Sequence, residues 1–213
     1  MRLGYRGATF SEVAGAGEDR GKLLAVTFDD AFASVLSLAR PILDRLGLTG
    51  TVFAVTSFAD TGEPLRWPGV EHWAATEHAP ELASMTWAQL RGLAADGWEV
   101  GSHSLTHPRL TSLGNEELAR ELSQSRARCS EAMGVECTAI AYPYGAVDPR
   151  VVAATLAAGY RHGAALPARW HGPRPLEHPR VGVYFPDGMG RFRIKVSPAG
   201  RRLRKFLPRP RRP

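Results

Sequence analysis

Residues 23–30 read LLAVTFDD, a continuous apolar run that ends in two neighbouring aspartates. Such a run predicts a buried strand, and its polar end marks the point where the strand reaches the edge of a sheet. Further strands are predicted along the chain at residues 51–55, 98–102, 138–142, 160–165 and 180–185.

Helical patterns separate these strands. Apolar spacing and terminal glycines predict helices at residues 34–46, 86–95, 116–133 and 148–158. Pro41 falls inside the first of them, where we expect a kink or the start of a second helix. Residues 57–84 have weak periodicity and are predicted to form an insertion loop. Strands that alternate with helices predict an α/β fold with a parallel sheet or barrel, whose active site lies at the carboxyl ends of the strands.

Length and composition are those of an ordinary globular protein. The 213 residues suffice for one domain with its own core, and 44% hydrophobic and 23% charged residues exclude collagen-like, disordered and disulfide-framework classes. The two cysteines, Cys129 and Cys137, are predicted to be free thiols. No apolar run approaches the roughly 20 residues of a membrane-spanning helix. Residues 1–17 lack the apolar core of a secretory signal, so we expect a cytoplasmic protein unless the N-terminus is truncated.

The net charge of +6 hides an asymmetry along the chain. Ten of the 27 Lys and Arg residues lie in residues 191–213, which contain no Asp or Glu, so 17 basic residues face 21 acidic ones elsewhere. Prolines interleave with these arginines, and we expect a folded domain over residues 1–190 and an unpacked basic tail over residues 191–213. Such a tail is solvated, contacts an anionic membrane surface or, least expected, binds nucleic acid.

Polar side chains suited to catalysis follow three of the predicted strands. Asp29 and Asp30 end the first, and because neighbouring carboxylates repel each other, one of them usually contacts a cation. His103 and His107 follow the third, at a spacing that on a helical turn lets both imidazoles meet one divalent ion. The fourth ends in the turn YPYG (residues 142–145), whose backbone N–H groups can face a substrate oxyanion. Taken singly, each has a simpler interpretation, as a helix cap, a pair of surface histidines or an ordinary turn.

Together the three strand ends indicate a metal site. One carboxylate and two histidines form a three-ligand set with open positions, the pattern of a catalytic metal rather than a structural one. The remaining aspartate lies where a general base is needed. Zinc is the expected metal, and cobalt, nickel or manganese also suit these ligands.

The motifs TFDD, HSLTH and YPYG, in this order and spacing, resemble those of the polysaccharide deacetylases, the NodB-homology domain of carbohydrate esterase family 4. The resemblance covers residues 23–185 and implies a distorted (β/α) barrel of about seven parallel strands. It also implies metal-dependent removal of N-acetyl groups from sugars. It assigns the general base to Asp29 and the oxyanion-stabilising backbone N–H to Tyr144. It assigns the metal ligands to Asp30, His103 and His107.

Three positions depart from the family pattern. Ala141 stands where many members have an arginine, and Ala31 stands where glycine usually follows TFDD. A late Leu-x-His motif normally supplies the general acid, and its nearest counterpart here ends in His178. We therefore predict His178 as the acid, with a loop histidine of no catalytic role as the alternative and His162 and His171 as weaker candidates.

We expect a hydrolase that removes N-acetyl groups from amino sugars of a poly- or oligosaccharide and releases acetate. The YPYG form and the PRV at residues 179–181 resemble the branch that acts on exported or lipid-linked glycans. The alternatives are an O-acetyl esterase on glycans and a glycan-binding protein of the same fold with weakened catalysis. Trp67, Trp73 and Trp170 are candidates for stacking on sugar rings, with burial in the core as the alternative.

Overall fold

The computed structural model describes residues 4–16, 21–167, 172–184 and 186–203. Its main sheet has six parallel strands, β3 to β8, whose order in the sheet is their order along the chain, and β1 and β2 form a separate parallel pair. The strands are β1 (Arg6–Gly7), β2 (Leu23–Leu24), β3 (Val26–Phe28), β4 (Gly50–Ala54), β5 (Glu99–Ser102), β6 (Ala139–Ala141), β7 (His162–Ala165) and β8 (His178–Pro179).

Helices make most of the connections. They are α1 (Phe10–Gly15), a π-helix (Val35–Ala39), α2 (Arg40–Arg45), α3 (Thr56–Thr61), α4 (Trp87–Ala95), α5 (Asn115–Met133), α6 (Pro149–Ala157), α7 (Met189–Val196) and α8 (Pro198–Leu203). Short 3₁₀ helices lie at Glu71–Ala75, Ala79–Leu82, Leu110–Ser112 and Pro143–Gly145. Asp148 caps α6 by accepting the Val151 N–H at 2.8 Å, as its position before Pro149 predicted.

The predicted α/β fold is confirmed, with six strands in the main sheet rather than about seven. β3 and β8 are the two edges of this curled sheet. Arg180, directly after β8, joins the edges by donating to the Thr27 hydroxyl on β3 at 3.0 Å. A side-chain hydrogen bond thus connects the two edge strands, which in a closed barrel would be joined by backbone hydrogen bonds.

Alternate residues of a strand face different cores. On β4, Val52 and Ala54 pack in the cluster that the helices α2 and α4 cover. Phe53 faces the inner side of the curl, where its ring lies 5.5 Å from that of Phe10. Gly101 on β5 lies beside Phe53, and a Cβ there would come within 2.7 Å of the ring. Two phenylalanine rings therefore fill the curl, and the neighbouring strand makes room for them with glycine.

The strand predicted at residues 180–185 is wrong. The last strand, β8, comes earlier and is two residues long. The Ala165 carbonyl, at the end of β7, accepts the last ladder bond from the Arg180 N–H at 2.9 Å. Within the described residues, 181–184 pair with no other strand, although their composition favours one. Residue 185 lies outside the described residues.

The segment around Pro41 follows the prediction. A π-helix ends at Ala39 and α2 begins at Arg40, so that Pro41 lies in the first turn of a new helix. There its missing N–H costs no hydrogen bond. The insertion at residues 57–84 holds most of α3 and two 3₁₀ helices.

The described part of the basic segment, up to residue 203, contains helical structure. α7 crosses the expected boundary at residue 190, and α8 extends the helical structure to Leu203. Residues 204–213 lie outside the described part of the chain. Within the described ranges, no helix combines the length and apolar character that crossing a membrane requires. Cys129 and Cys137 are buried and free, as predicted.

Candidate active site at the carboxyl edge of the sheet

The turn after β3 brings two neighbouring carboxylates to the same edge. Consecutive residues of a strand point to opposite faces, but the chain leaves the strand with left-handed backbone angles, φ 72° at Asp30 and φ 59° at Ala31. Asp29 thereby contacts Arg180, while Asp30 faces two histidines. Ala31 stands where glycine usually follows TFDD. It is fully buried and adopts the left-handed conformation that glycine adopts more easily, so the turn forms with alanine at this position.

His103 and His107 lie in a loop, and the helical turn that their spacing suggested is wrong. Ser104 and His107 have φ values of 68° and 66°, and the Ser104 hydroxyl accepts the His107 N–H at 3.0 Å. Two left-handed residues turn the chain so that both imidazoles reach Asp30. The Nε2 atoms of His103 and His107 each lie 3.3 Å from Asp30 Oδ1.

A buried carboxylate on α5 stabilises the loop that contains His103 and His107. Glu121 of α5 accepts the N–H groups of Leu105 and Thr106 at 2.9 and 3.0 Å and the Thr106 hydroxyl at 2.7 Å. A buried carboxylate is tolerated when its oxygens are hydrogen-bonded, and all three donors here come from between the two histidines. Sequence reasoning missed Glu121. The feature that could have identified it is an acidic residue next to Leu122, on the side of α5 that is buried.

The donor set suits a divalent metal. The Asp30 oxygen and the two imidazole nitrogens lie within 4.8 Å of one another. His103 Nδ1 donates to the Ala141 carbonyl at 2.8 Å, which leaves a lone pair on Nε2 of the neutral ring. Asp30 Oδ1 is buried and has no hydrogen-bond partner among the described residues. Lone pairs that converge on one point in this way fit a cation.

Local charges keep both carboxylates ionised. Burial would raise the pKa of Asp29 and Asp30, but Arg180 brings the pKa of Asp29 below its usual value, and His103 and His107 do the same for Asp30. Burial lowers the pKa of His107. At His103 burial acts in the same direction, but the charges of Asp29 and Asp30 outweigh it and raise the pKa. Ionised carboxylates and a neutral His107 are the forms that bind metal.

Stacking holds the second histidine. The Trp67 ring lies 4.0 Å from that of His107 at an interplanar angle of 25°, and the Tyr144 ring meets it at 4.7 Å. His107 Nδ1 is buried and, in the described part of the chain, has no hydrogen-bond partner. Ring contacts therefore fix this imidazole. Of the two interpretations of Trp67, packing applies, since the residue is 8% exposed.

The other two tryptophans differ from Trp67. Trp73 is 39% exposed, and the rings of His72 and His78 lie 5.7 and 6.2 Å from it. Trp170 lies outside the described residues. Sugar stacking stays a prediction for Trp73.

Tyr144 lies next to the cluster in a strained turn. It is the second residue of the 3₁₀ helix Pro143–Gly145 and has φ 60°. An N–H in the first turn of a helix has no partner within that helix, which suits the predicted oxyanion donor. The Tyr144 ring is 41% exposed, and the Arg109 guanidinium lies 4.8 Å from its centre.

Arg180 supplies the cation that position 141 lacks. Its Nη1 and Nη2 donate to Oδ1 and Oδ2 of Asp29 at 2.6 and 2.9 Å. Ala141 instead packs on the inner side of the curl and offers its carbonyl to His103. The sequence predicted no role for Arg180 beyond its place in the PRV motif. The signal that could have identified it is Ala141, which stands where many members have an arginine and leaves Asp29 in need of another cation.

The candidate acid lies on the last strand of the main sheet. His178 begins β8, and its ring lies 6.0 Å from that of Phe10. Arg180 is two residues further along, so His178 lies about 6 to 7 Å deeper in the curl. His162 is the first residue of β7 and thus lies at the far end of that strand from the carboxyl edge. His171 lies outside the described residues. The assignment of His178 as general acid stays a prediction.

Comparison with known proteins agrees with this geometry. The family profile described as polysaccharide deacetylase matches residues 16–163. The chain belongs to the polysaccharide deacetylase family. The match runs from before β2 into β7 and includes all three motifs.

Individual members of the family are distant relatives. A chitooligosaccharide deacetylase from Rhizobium leguminosarum bv. trifolii is 32% identical over 90 residues, which are 39% of this chain and 40% of that protein. The chain spans less than half the length of the curated relatives that it matches.

Solved structures of deacetylases share the fold. The Streptococcus pyogenes deacetylase PplD, in complex with acetate, superposes with a TM-score of 0.74 at 20% identity, over 92% of this chain and 82% of that one. A de-N-acetylase from Aggregatibacter actinomycetemcomitans gives the same TM-score at 17% identity, over 92% and 84% of the two chains. These likenesses establish the NodB-like fold of the deacetylases.

Proposed function

We propose that this polysaccharide deacetylase is a metal-dependent enzyme that removes N-acetyl groups from amino sugars of a poly- or oligosaccharide and releases acetate. The observation that carries the proposal is the cluster of Asp30, His103 and His107 beside a separate carboxylate, Asp29, that Arg180 keeps ionised. Three ligands and an adjacent proton acceptor are what hydrolysis of an amide at a metal site requires.

Each residue has a distinct task in this proposal. A divalent metal held by Asp30, His103 and His107 would polarise the acetyl carbonyl and lower the pKa of a bound water. The Asp29 carboxylate takes the proton of the attacking water, and Arg180 fixes its orientation. The Tyr144 N–H donates to the carbonyl oxygen as negative charge develops there. Zinc is the proposed metal, and cobalt, nickel and manganese suit the same donors.

An N-acetyl substrate is favoured over an O-acetyl ester. The Rhizobium relative is named for a deacetylase of chitooligosaccharides, which supports an amino-sugar substrate here. The complete set of Asp29, Asp30, His103 and His107 argues against a binding protein with weakened catalysis.

Acetate release from N-acetylated oligosaccharides and from O-acetylated glycans tests the proposal. We expect release from the N-acetylated panel, loss of activity with a chelator, and recovery on addition of Zn²⁺. Asp30→Asn serves as the matched control. It changes one proposed ligand and little volume, so its rate of acetate release should be lower than that of the unsubstituted protein. Faster release from the O-acetylated panel would assign the esterase alternative. No release from either panel by the metal-loaded protein would leave only the binding alternative.

The source of the proton for the departing amine is tested separately. If His178 provides it, His178→Gln should lower the rate on N-acetyl substrates by about 10²- to 10⁴-fold with the metal content unchanged. An ester leaving group needs less protonation, so O-acetyl hydrolysis should fall less. His162→Gln, at the far end of the neighbouring strand, is the control. An unchanged rate in His178→Gln would remove this residue from the reaction.

A further inference from the structure

An exposed arginine lies beside the candidate metal cluster. The Arg109 guanidinium lies 4.8 Å from the centre of the Tyr144 ring, which in turn lies 4.7 Å from the ring of His107. Arg109 is exposed, and within the described ranges its guanidinium has no carboxylate partner and no side-chain hydrogen bond. The other arginine of the site, Arg180, is paired with Asp29. Arg109 therefore brings a positive charge to the site that no described carboxylate neutralises by direct contact.

The backbone of Arg109 is held in place. Its carbonyl accepts the Ser112 N–H at 2.9 Å and the Ser112 hydroxyl at 2.7 Å, directly before the 3₁₀ helix Leu110–Ser112. Arg150 of α6 donates to the Thr111 carbonyl at 3.2 Å and so connects the same short helix to α6. A side chain that leaves a fixed backbone and rests on an aromatic ring loses little freedom when it binds a ligand.

The contact with Tyr144 leaves the donors of Arg109 available. A guanidinium that contacts a ring through its charge keeps its N–H groups in a planar fork, which matches the two oxygens of a carboxylate or a phosphate. The Tyr144 ring is 41% exposed, so a substrate can reach the arginine beside it. The ring therefore orients the cation without replacing an anionic partner.

One carboxylate of the insertion acts on the same tyrosine. Burial raises the pKa of Tyr144, the charge of Arg109 opposes this rise, and the charges of Asp30 and Glu71 add to it. Among these three charges, that of Arg109 has the largest effect on the Tyr144 hydroxyl. Glu71 is exposed and, in the part of the chain that the structure describes, forms no ion pair with Arg109. The arginine is thus not occupied by the acidic residue of the insertion.

We propose that Arg109 binds an anionic group of the substrate, so that the enzyme prefers N-acetylated glycans with a carboxylate or phosphate on the acetylated sugar or its neighbour. This inference rests on the proposed function, because it names a substrate feature for the same site. A single ring, that of Tyr144, separates the guanidinium from His107, so the bound anion lies close to the reacting acetamide. A uronic acid and a phosphodiester both offer the pair of oxygens that the guanidinium fork matches.

Oligosaccharides that differ in charge test the assignment. A hyaluronan tetrasaccharide alternates N-acetylglucosamine with glucuronate, and reduction of its carboxylates to alcohols gives a neutral partner with the same linkages. A phosphodiester-linked oligomer of N-acetylglucosamine, compared with an N-acetylglucosamine oligomer without phosphate, forms the second pair. We expect the anionic member of at least one pair to bind about 10- to 100-fold more tightly than its neutral partner. A preference within one pair assigns the anion to that source.

Affinity and turnover are measured separately. Calorimetry uses the Zn²⁺-loaded protein with Asp29→Asn as background, because loss of the proposed proton acceptor slows hydrolysis during the titration. Acetate release by the Zn²⁺-loaded protein without that substitution gives KM and kcat for the same oligosaccharides. The anionic preference should appear mainly as a lower KM, since a bound anion next to the acetamide contributes to substrate binding.

Substitution of Arg109 attributes the preference to this side chain. Arg109→Gln should bring the affinity ratio of the anionic to the neutral oligosaccharide close to one, and Arg109→Lys, which keeps the charge but not the fork, should give an intermediate ratio. The ratio is the readout, because an altered Tyr144 affects both oligosaccharides alike. Arg45→Gln is the matched control. It removes the same charge from an exposed arginine at the end of α2, shortly before β4 begins at the opposite edge of the sheet, and should leave the ratio unchanged.

Several results would overturn the inference. These are equal affinity for the anionic and neutral members of both pairs, no binding of any of the four oligosaccharides, and a preference that Arg109→Gln retains or that Arg45→Gln loses equally. The proposed function fails in a different way. A protein that prefers anionic oligosaccharides through Arg109 but releases no acetate would contradict the deacetylase proposal and leave the anion site standing. Acetate release without a preference for anionic oligosaccharides would contradict the anion site alone.

Discussion

Asp29 and Asp30 are identical in chemistry, so only their surroundings can distinguish the tasks proposed for them. Asp29 shares both oxygens with the Arg180 guanidinium, whereas Asp30 Oδ1 faces two imidazole nitrogens. A carboxylate already paired with a cation is a poor ligand for a second one. The metal is therefore expected at Asp30.

Replacing each aspartate by asparagine separates the two tasks. Asp29→Asn should keep the metal, because no ligand is lost, and lower the rate by about 10²- to 10⁴-fold, because a proton acceptor is lost. Asp30→Asn should lower metal occupancy as well as the rate. Elemental analysis beside acetate release checks both. Loss of the metal in Asp29→Asn and its retention in Asp30→Asn would show that the tasks are reversed.

Trp67 stacks on His107, one of the three proposed metal ligands, so we expect it to influence the affinity for metal. Other metal-bound histidines are oriented by a hydrogen bond from the second ring nitrogen, but His107 is oriented by the indole stacked on it at 4.0 Å. Trp67→Leu should weaken Zn²⁺ binding about tenfold, and Trp67→Phe, which keeps a flat ring, should weaken it less. Competition with a chromophoric chelator measures the affinity. Trp73→Leu is the control, and unchanged affinity in Trp67→Leu would refute the role.

At the scale of elements, the loop between β5 and α5 depends on α5 for its shape. It has two left-handed residues, Ser104 and His107, and this conformation costs free energy in residues other than glycine. Glu121 compensates by accepting hydrogen bonds from Leu105 and Thr106. The helix thus determines where the histidines point.

Removing that support should loosen the loop. Glu121→Ala leaves two buried N–H groups without acceptors and should lower the free energy of unfolding by about 3 kcal/mol. Glu121→Gln keeps an acceptor and should cost less. Urea denaturation of the metal-free protein measures both, and Glu117→Ala, an exposed residue of the same helix, should change stability by less than about 1 kcal/mol. A loss in Glu121→Ala no larger than in that control would show that the loop holds its shape alone.

The sequence predicted which strand ends carry the site but not how the side chains meet there. Apolar runs and glycine stops depend on local periodicity, so β4, β6 and the helices α4 to α6 fall within a few residues of their predicted bounds. The turn at Asp30 and the non-helical loop at His103 depend on tertiary contacts that no local pattern records. Arg180 was missed for the same reason, since its partner is 151 residues away. The strand predicted after it fails because β7 ends first.

For the whole molecule, Arg180 contacts both the opposite edge of the sheet and the proposed general base. It connects the two edges of the sheet through Thr27 and keeps Asp29 ionised. Arg180→Met leaves a partly buried carboxylate without a partner and should lower stability by about 2 to 4 kcal/mol near pH 7. Arg180→Lys keeps the charge but not the paired hydrogen bonds, so its loss of stability should be smaller than that of Arg180→Met. Urea denaturation measures both losses, and Arg174→Met, an exposed residue of the same segment, is the control.

The pH dependence has a definite sign. Arg180 lowers the pKa of Asp29, so its stabilisation is present above the pKa of an unfolded aspartate, about 3.9, and is lost as pH falls further. The stability gap between the unsubstituted protein and Arg180→Met should therefore narrow in acid. In Arg180→Met the pKa of Asp29 rises, and the acidic limb of the rate profile should move to higher pH while the metal content stays constant. A limb that does not move would confine Arg180 to a structural role.

The contact between Asp29 and Arg180 also has a consequence for biosynthesis. A ribosome that has just added Asp29 must add 151 more residues before Arg180 is part of the chain, which takes about 8 to 30 s at roughly 5 to 20 residues per second. During that interval both histidines and the YPYG turn are made, but the aspartate proposed as the proton acceptor does not yet have Arg180 beside it. We therefore expect catalytic competence only once the last strand is made, because a nascent chain interrupted before residue 180 contains the TFDD, HSLTH and YPYG motifs but lacks the cation that pairs with Asp29.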